Sequence, residues 1–418
     1  MKLTVVGLGY IGLPTSIMFA KHGVDVLGVD INQQTIDKLQ SGQISIEEPG
    51  LQEVYEEVLS SGKLKVSTTP EASDVFIIAV PTPNNDDQYR SCDISLVMRA
   101  LDSILPFLEK GNTIIVESTI APKTMDDFVK PVIENLGFTI GEDICLVHCP
   151  ERVLPGKILE ELVHNNRIIG GVTKACIEAG KYVYRTFVQG EMIETDARTA
   201  EMSKLMENTY RDVNIALANE LTKICNNLNI NVLDVIEMAN KHPRVNIHQP
   251  GPGVGGHCLA VDPYFIIAKD PENAKLIQTG REINNSMPAY VVDTTKQIIK
   301  ALSGNKVTVF GLTYKGDVDD IRESPAFDIY ELLNQEPDIC AYDPHVELDF
   351  VEHDMSHAVK DASLVLILSD HSEFKNLSDS HFDKMKHKVI FDTKNVVKSS
   401  FEDVSYYNYG NIFNFIDK

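Results

Sequence analysis

The chain has too few basic residues to present a positively charged surface. Its 38 Lys and Arg residues stand against 61 Asp and Glu, which gives a formal net charge of −23 over 418 residues. Nucleic acids and anionic membranes are bound through basic surfaces, so this composition argues against both as partners. An anionic ligand would need lysines and arginines placed locally, against the repulsive field of the whole chain.

Cysteine pairs with the spacing of a metal site are also missing. The sequence has seven cysteines and no Cys-x-x-Cys pair. An odd number of scattered cysteines disfavours both a zinc site and a disulfide scaffold. We therefore expect no metal, and a reducing cytoplasm fits this usage best. The cysteines are Cys92, Cys145, Cys149, Cys176, Cys225, Cys258 and Cys340.

No segment reaches the ~18 consecutive apolar residues of a membrane span. The stretch from Leu3 to Ala20, which follows Lys2, resembles the apolar core of a signal peptide. A single lysine is a weak basic region, and glycine spacing within the stretch has a better explanation, given below. We expect no membrane insertion.

The sequence contains two copies of one pattern. Lys2–Gly12 and Lys306–Gly316 are both apolar runs that end in a glycine turn, and similar apolar runs follow each of them in the same order. Short apolar runs that alternate with helical stretches predict βαβ units and a parallel sheet. The predicted fold is α/β, with two Rossmann-like, doubly wound parallel-sheet domains joined by a central helical region. The predicted domains are 1–190, 191–304 and 305–418.

The central region is predicted to be two helices and a loop. Thr199 to Leu228 contains neither Gly nor Pro and predicts one long, largely buried helix. A second helical stretch runs from Glu272 to Leu302, and Pro288 should kink or divide it. The Pro/Gly-rich segment between them, Ala239 to Asp262, predicts a long irregular loop, which in a compact protein is usually functional.

A dinucleotide-binding fingerprint opens the chain. Gly7, Gly9 and Gly12 follow an apolar strand and precede a helical stretch, and Asp30 ends the next apolar run. In this context the glycines predict a pyrophosphate site at a helix N-terminus, and the aspartate predicts bonds to ribose hydroxyls. The residues after Asp30 include no arginine for a 2′-phosphate, which favours NAD over NADP. The alternative is a glycine turn that binds nothing.

Other segments end predicted strands where ligands bind in open α/β sheets. Val80–Pro83 and Glu117–Thr119 are two of them, and each reads equally well as a plain loop. In the second repeat the turn carries Lys315, and Asp343 ends the following apolar run. That turn predicts a degenerate nucleotide site, for a nucleotide other than NAD.

Lys204, Asn208 and Arg211 share one face of the first predicted central helix. If that helix is largely buried, such a face needs anionic partners. Glu151, which follows another predicted strand, brings a carboxylate to the same sheet edge. The alternative is an ordinary solvated stripe.

The glycine-rich run from Gly251 to Cys258 is the most informative segment. Its glycines let the backbone approach a ligand closely. Its cysteine is either a small buried hydrophobe or a nucleophile, since only a thiolate reacts. Beside an NAD fingerprint, a nucleophilic cysteine would hold an aldehyde covalently for a second oxidation.

Together these motifs resemble the nucleotide-sugar 6-dehydrogenase (UDP-glucose/UDP-mannose dehydrogenase) family over nearly the whole chain. Within it they are most similar to the members that oxidise UDP-N-acetylmannosamine. The matching segments are Gly7-Leu-Gly-Tyr-Ile-Gly-Leu-Pro14, Ala79-Val-Pro-Thr-Pro83, Cys149-Pro-Glu-Arg-Val-Leu-Pro-Gly156, Arg198-Thr-Ala-Glu-Met-Ser-Lys204, Asn240-Lys-His-Pro-Arg-Val-Asn246, Gln249-Pro-Gly-Pro-Gly-Val-Gly-Gly-His-Cys258, Ala260-Val-Asp-Pro263 and Arg322-Glu-Ser-Pro-Ala326.

The resemblance implies roles for individual residues. It implies Cys258 as nucleophile and Lys204 as acid/base group, and we add Asn208 as oxyanion donor with Glu151 and Asp262 as candidates for orienting water. It implies a homodimer formed by the central helices, in which His242 to Arg244 reach the neighbouring site. The implied NAD contacts, besides Gly7, Gly9 and Gly12, are Tyr10, Ile11, Asp30, Thr82, Thr119 and Arg322. The implied UDP-sugar contacts are Arg152, Val153, Lys204, Asn208, Arg211, His242, Arg244, Gly255, Tyr314 and Lys315.

The implied reaction is a four-electron oxidation of the sugar C6 alcohol to a carboxylate, through a thiohemiacetal and a thioester on cysteine. The resemblance implies a role in bacterial surface polysaccharide biosynthesis, and whether the glycan belongs to a capsule or to the cell envelope stays open. His257 stands where the UDP-glucose members have serine, and Val261-Asp262 replaces lysine-aspartate, which favours a 2-acetamido sugar. The manno, gluco and galacto forms of that UDP-N-acetylhexosamine stay open.

Two other functions and one regulatory hypothesis also stay open. A two-electron 3-hydroxyacid-type dehydrogenase would not need Cys258, and a non-catalytic NAD or UDP-sugar sensor would leave Cys258 and Lys204 inert. Neither uses all the motifs at once. The hypothesis is a disulfide between Cys92 and Cys258 that switches the enzyme off, and the alternative is that Cys92 is an ordinary thiol.

Overall fold

A computed structural model describes residues 1–46, 48–154, 156–334 and 338–416. Pro155, within the segment from Cys149 to Gly156, lies outside the described residues. The chain divides into two compact units. The first comprises Met1–Glu207 with Tyr264–Pro271, and the second comprises Asn208–Pro263 with Glu272–Lys418.

The first unit is built around an eight-stranded sheet with the strand order β3-β2-β1-β4-β5-β6-β7-β8. All neighbouring strands are parallel except β6 and β7, which pair antiparallel. The middle strands β4 and β5 are buried at every residue, as expected for a sheet covered on both faces. The strands are β1 (Lys2–Val6), β2 (Asp25–Val29), β3 (Leu64–Ser67), β4 (Val75–Ile78), β5 (Thr113–Val116), β6 (Cys145–His148), β7 (Arg167–Gly171) and β8 (Met192–Asp196).

Among the described residues, seven helices connect these strands. Side chains cap two of them, because Asn32 accepts from the Gln34 backbone N–H before α2 and Thr173 accepts from Cys176 N–H before α7. The helices are α1 (Gly12–Lys21), α2 (Gln33–Gln40), α3 (Leu51–Ser60), α4 (Ser95–Ile104), α5 (Lys130–Asn135), α6 (Ile158–His164) and α7 (Lys174–Tyr184). A π-turn, Met125–Val129, leads into α5, and a 3-10 turn, Leu105–Phe107, follows α4.

The central region is helical, as predicted. It comprises α8 (Ala197–Asn227), α9 (Val232–Ala239), α10 (Asp262–Lys269), α11 (Lys275–Asn285) and α12 (Met287–Ala301). Pro288 lies in the first turn of α12 and divides the second predicted helix, where a missing N–H costs nothing. Residues 240–261 form neither helix nor strand. In the described part of the chain, no helix combines the length and apolarity that crossing a membrane requires.

The prediction that the long helix is largely buried is wrong for the single chain. On α8, Met202, Met206 and Leu217 are 37%, 41% and 54% exposed. A helix without Gly or Pro and rich in apolar residues can turn some of them outward, because apolar content alone does not say which faces are covered. One apolar face of α8 is therefore exposed to solvent.

The second unit holds a six-stranded sheet in which every pair is parallel, in the order β11-β10-β9-β12-β13-β14. Counted from its own first strand, this order repeats that of the first six strands of the other sheet. The doubly wound fold class predicted from the internal repeat is confirmed. The elements are β9 (Val307–Phe310), α13 (Pro325–Leu333), β10 (Ile339–Tyr342), β11 (Val351–Glu352), α14 (Met355–Ala358), β12 (Leu364–Ile367), β13 (Val389–Asp392), β14 (Ser405–Asn408) and α15 (Phe413–Ile416), with 3-10 turns at Ser372–Asn376 and Asp379–Phe382.

Candidate active site

The glycine turn between β1 and α1 is shaped for a phosphate. A Cβ added at Gly12 would lie 1.9 Å from the Gly7 carbonyl oxygen, so only glycine allows this close backbone approach. Helix α1 begins at Gly12, and its first turn carries no acidic residue. A helix N-terminus without a competing carboxylate binds phosphate through its N–H groups and its dipole. The fingerprint residues therefore fit the diphosphate of a dinucleotide.

Asp30 lies at the carboxyl end of β2, where a ribose hydroxyl would be bound. Its carboxylate accepts the Leu8 backbone N–H at 3.0 Å and the Asn32 backbone N–H at 2.9 Å. Each carboxylate oxygen keeps a further lone pair for a hydroxyl donor. Tyr10 is exposed and Ile11 half-buried in the turn between them. The Leu8–Asp30 hydrogen bond thus links the glycine turn, which would bind the diphosphate, to the aspartate that would bind the ribose.

The loops after β4 and β5 are bonded to each other. The Thr82 hydroxyl donates to the Thr119 carbonyl oxygen at 2.6 Å. The Ser118 hydroxyl donates to the Val80 carbonyl at 2.7 Å and accepts the Val80 N–H at 2.9 Å. The strand order reverses beside β4, and such switch points are where open α/β sheets bind ligands. The structure therefore brings together two residues predicted separately as NAD contacts.

Glu151 follows β6, and its side chain is turned into the protein. Its carboxylate accepts the Arg152 backbone N–H at 2.7 Å and forms a short ion pair with Arg167. The Arg152 guanidinium in turn pairs with Glu207 at 2.9 Å and donates to the Asn166 carbonyl. The sequence pattern did not single out Arg167. A charged residue at the head of an otherwise apolar run, Arg167–Gly171, was the available signal.

Lys204 lies half-buried on α8 in the first unit. It is near enough to His148 for its positive charge to act there. Burial, and then the charge of Lys204, lower the pKa of His148 to about 3. The His148 ring is therefore neutral, and its Nδ1–H donates to the Val116 carbonyl oxygen at 2.9 Å. The sequence pattern did not single out this histidine.

Cys258 lies in the turn that leads into α10. Its carbonyl oxygen accepts the backbone N–H groups of Val261 at 3.1 Å and Asp262 at 2.9 Å, and α10 begins at Asp262. The residue is half-buried. A helix N-terminus favours nearby negative charge, which is what a thiolate nucleophile carries. The local fold thus presents the cysteine one turn before a helix.

Asn208 and Asp262 meet in the second unit. The Asn208 side-chain amide donates to the Asp262 carboxylate at 2.6 Å. Asn208 is 7% exposed and Asp262 4%. Because Asp262 also donates its backbone N–H to the Cys258 carbonyl, this pair ties α8 to the cysteine turn.

The glycine-rich run packs against the turn after β9. Gly256 has a φ of +83°, and a Cβ there would lie 2.7 Å from the Tyr314 ring. Glycine is therefore needed both for the backbone angle and for the close approach of the aromatic ring. The neighbouring Gly255 is half-buried, and Lys315 is exposed beside Tyr314. The predicted substrate residues of the run and of the second glycine turn lie together.

Arg322 forms a bidentate ion pair with Asp320. Its Nε and Nη2 atoms donate to the two carboxylate oxygens at 2.9 and 2.7 Å. These bonds raise the pKa of Arg322, and the negative charge of an ionised Cys258 adds to the effect. Arg322, predicted as an NAD contact, thus lies within the electrostatic reach of the cysteine in the second unit.

Three cationic or imidazole residues predicted to hold the substrate are exposed: Arg211, His242 and Arg244. Arg244 donates its backbone N–H to Nδ1 of His242 at 3.3 Å, which orders that short turn. The expectation of a buried Lys-Asn-Arg face is wrong at Arg211, because α8 turns that position to solvent. Of the face, Asn208 is buried and Lys204 half-buried.

In the second repeat, Asp343 occupies the position that Asp30 holds in the first. Asp343 accepts the Leu312 N–H at 2.7 Å, just as Asp30 accepts the Leu8 N–H. It is fully buried, however, and also accepts the His345 N–H at 2.8 Å and a bond from His371 at 3.2 Å. Its lone pairs are used within the protein. This explains in physical terms why the second glycine turn cannot hold a dinucleotide in the same way.

Comparison with known proteins places these features in one family. Three parts of the UDP-glucose/GDP-mannose dehydrogenase family match in order: the NAD binding domain at residues 1–188, the central domain at 198–286 and the UDP binding domain at 308–399.

Individual relatives match over almost their whole length. A UDP-N-acetyl-D-mannosamine dehydrogenase of Methanocaldococcus jannaschii is 50% identical over 404 residues, which cover 95% of this chain and 92% of that protein. An NDP-N-acetyl-D-galactosaminuronic acid dehydrogenase of Ralstonia nicotianae is 45% identical over 407 residues, 94% of this chain and 95% of that protein. A solved structure of the UDP-N-acetyl-mannosamine dehydrogenase Cap5O from Staphylococcus aureus is 98% identical, covers 100% of both chains and superposes with a TM-score of 0.95.

Proposed function

Since the chain belongs to the UDP-glucose/GDP-mannose dehydrogenase family and is an NAD-dependent dehydrogenase, we propose that it oxidises UDP-N-acetyl-D-mannosamine at C6 to UDP-N-acetyl-D-mannosaminuronate. The similarity to relatives named for UDP-N-acetylmannosamine supports this sugar. His257, the residue before the cysteine, also supports this sugar, because the UDP-glucose members of the nucleotide-sugar 6-dehydrogenase family have serine at that position. The uronate product would supply surface polysaccharide synthesis, in a capsule or cell envelope.

A second candidate substrate rests on one specific observation. The Ralstonia relative, at 45% identity, is named for N-acetyl-D-galactosaminuronic acid. The same chemistry on UDP-N-acetylgalactosamine or UDP-N-acetylglucosamine is therefore the alternative. These sugars differ only in the orientation of a hydroxyl or acetamido group.

The cofactor residues proposed for NAD are Gly7, Gly9, Gly12, Asp30 and the bonded pair Thr82 and Thr119, together with Tyr10, Ile11 and Arg322. The close approach at Gly12 and the remaining lone pairs of Asp30 fit a diphosphate and a ribose. When bound, NAD supplies a hydride acceptor for each of the two oxidations.

Cys258 is the proposed nucleophile. Its thiolate adds to the C6 aldehyde left by the first oxidation, and the C–S bond keeps the half-oxidised sugar attached. The second oxidation turns the thiohemiacetal into a thioester. Water then adds to C6, the C–S bond breaks and the thiolate leaves. The balance is one alcohol, two NAD⁺ and one water to one carboxylate, two NADH and three protons.

The single observation that carries this mechanism is the bond between Asn208 and Asp262 beside the cysteine turn. The Asn208 amide has two hydrogens. One donates to Asp262, and the other is available to the thiohemiacetal oxyanion. Asp262 and Glu151 are proposed to orient the hydrolytic water, and Lys204 is proposed to take and return the hydroxyl proton.

The proposed contacts to the UDP-sugar are those that the resemblance implies. The diphosphate would draw on local cations, because the whole chain is repulsive to anions at a net charge of −23. The proposed residues are Arg152, Val153, Lys204, Asn208, Arg211, His242, Arg244, Gly255, Tyr314 and Lys315. They would divide among an NAD domain at 1–190, a central domain at 191–304 and a UDP-sugar domain at 305–418.

The proposed partner is a second copy of the chain. Tyr210, Leu217 and Ile224 follow one another at seven-residue intervals along α8 and are 54%, 54% and 46% exposed. Leu228, four residues further on, is 62% exposed. An exposed heptad stripe on a long helix suits self-association. In such a homodimer, which we expect in the cytoplasm, His242 and Arg244 would reach the partner's site.

The direct test counts NADH formed per sugar with four substrates: UDP-N-acetylmannosamine, UDP-N-acetylglucosamine, UDP-N-acetylgalactosamine and UDP-glucose. We expect two NADH per UDP-N-acetylmannosamine and a carboxylate product by mass spectrometry. A yield of one NADH with an aldehyde or ketone product would overturn the four-electron reaction. A higher kcat/KM for another N-acetylhexosamine would transfer the proposal to that sugar.

A further inference from the structure

The ends of β5, β6 and β7 bring three charged side chains together inside the first unit. The side chains of Glu117, Arg167 and Glu151 are 0%, 4% and 6% exposed. We propose that Arg167, held by Glu117, is a positioning residue that fixes the Glu151 carboxylate for hydrolysis of the thioester. This inference rests on the function proposed above, because it assigns a device to its last chemical step.

Arg167 is held on every side. Its Nη1 lies 3.3 Å from the Glu117 carboxylate, and its Nη2 pairs with the Glu151 carboxylate. The guanidinium also stacks 4.3 Å from the centroid of the Tyr184 ring. A planar guanidinium on an aromatic face has a set orientation, so its forked donors are aimed and not merely near. The fixed guanidinium therefore holds the Glu151 carboxylate in one orientation.

Glu151 gains its geometry from two donors. One carboxylate oxygen accepts the Arg152 backbone N–H at 2.7 Å, and the other accepts from Arg167. Each oxygen retains a lone pair that can accept a hydrogen from water. Arg167 therefore orients the Glu151 carboxylate, which can accept a proton from water.

Glu117 is the second carboxylate that pairs with Arg167. Its carboxylate accepts from the Tyr184 hydroxyl at 2.5 Å and from the Thr15 hydroxyl at 3.3 Å. Burial raises the pKa of Glu117 to about 7, although the charge of Arg167 opposes this. Below that pH Glu117 is neutral, and the positive charge of Arg167 is directed to Glu151 alone. Above it the two carboxylates share one cation.

The competing explanation is purely structural. A buried cation between two carboxylates could do no more than tie three strand ends together, and removing it would then destabilise the first unit. That role would lower the fraction of folded enzyme and slow every chemical step equally. A positioning role slows only the step in which Glu151 acts.

The test separates the oxidations from hydrolysis in the full-length enzyme with UDP-N-acetylmannosamine and NAD. For Arg167→Gln we expect a normal burst of two NADH per site and a steady-state rate about 10²-fold lower, since a positioned base contributes roughly 10²–10⁴-fold. Intact-mass measurement should show the acyl group accumulating on the enzyme and leaving on treatment with hydroxylamine. The exposed Arg185→Gln is the matched control and should behave as the wild type.

Two further variants distinguish a loss of positioning from misfolding. Arg167→Lys keeps the charge but loses the fork, so it should fold and recover only part of the hydrolysis rate. Glu117→Gln mimics the protonated acid, so its hydrolysis rate should lose the dependence on pH around 7 that the wild type shows. Urea midpoints of all variants report their stability separately.

The outcomes are distinct. If Arg167→Gln slows burst and steady state equally and no acyl-enzyme accumulates, the positioning role is overturned. The same follows if Glu151→Gln hydrolyses the thioester at the wild-type rate. Neither result touches the proposed function, which fails instead if the wild type yields one NADH per sugar or forms no carboxylate product.

Discussion

The Asn208 amide donates to the Asp262 carboxylate at 2.6 Å, across 54 residues of sequence, and both side chains are buried. Asp262 also gives its backbone N–H to the Cys258 carbonyl. A side-chain donor, a carboxylate and the proposed nucleophile's own backbone are therefore linked in one unit. A shift of any one of them would move the others.

The first prediction concerns this linkage. Asn208→Ala should lower kcat about 10²-fold, the usual effect of losing one oxyanion donor. Asp262→Asn should also lower it, because a neutral amide oxygen accepts the Asn208 hydrogen more weakly than a carboxylate does. The two changes should be strongly non-additive in a double-mutant cycle. Additive losses in kcat would show that the residues act independently.

The second prediction concerns Cys258. Cys258→Ser should abolish formation of the uronate, since a hydroxyl is a far weaker nucleophile than a thiolate. NADH yield and product mass measure this directly. Cys340→Ser, which removes another half-buried thiol of the second unit, is the control and should remain active. An unchanged four-electron oxidation in Cys258→Ser would remove the covalent mechanism.

The third prediction concerns Lys204. Lys204→Ala should lose roughly 10²–10⁴-fold in kcat, the contribution of a positioned acid/base group. The loss should fall on the first NADH of a single turnover, where the alcohol proton is taken. Lys130→Ala alters a surface pair with Glu134 and should not change that rate. Near-full kcat in Lys204→Ala would assign the proton transfer to another group.

The fourth prediction concerns stability and pH. Burial raises the pKa values of Glu117 and Glu201 to about 7, from 4.5. Between these values the folded state holds protons that the unfolded state has released, so stability falls as pH rises from about 5 to about 7 and then levels off. Urea midpoints measured from pH 5 to pH 8 should show this decline.

Glu117→Gln tests the assignment because glutamine mimics the protonated acid. Its decline over the same range should be shallower than that of the wild type, whereas the exposed Glu57→Gln should follow the wild type. If Glu117→Gln and wild type have parallel pH profiles, Glu117 does not titrate in this range.

The fifth prediction concerns assembly. Leu217→Glu places a charge in the exposed stripe of α8 and should convert dimers to monomers, as measured by light scattering after gel filtration. Leu276, 71% exposed on α11, offers a matched control, and Leu276→Glu should remain dimeric. A wild-type monomer at assay concentration would refute the homodimer outright.

Much of the fold could be predicted because its signals are local. Apolar runs with glycine turns repeat at Lys2–Gly12 and Lys306–Gly316, and both sheets begin there with the same strand order. Pro288 marked a helix boundary for a reason that lies in a single residue. The burial of α8 could not be predicted in the same way, because which apolar face is covered depends on neighbours and not on the helix.

The candidate site divides along the same line. By itself the sequence determined the glycine turn, Asp30 and the cysteine run, since each is defined by spacing within a short segment. Only the tertiary structure decided that Thr15, Glu117, Arg167 and Glu151 form one buried cluster. It also decided that the Asp343 carboxylate accepts hydrogen bonds from backbone N–H groups and from His371. Residues 50 or 102 positions apart, such as Glu117 and Arg167 or Thr15 and Glu117, meet because sheet topology and packing carry them together. Local periodicity carries no record of those partners.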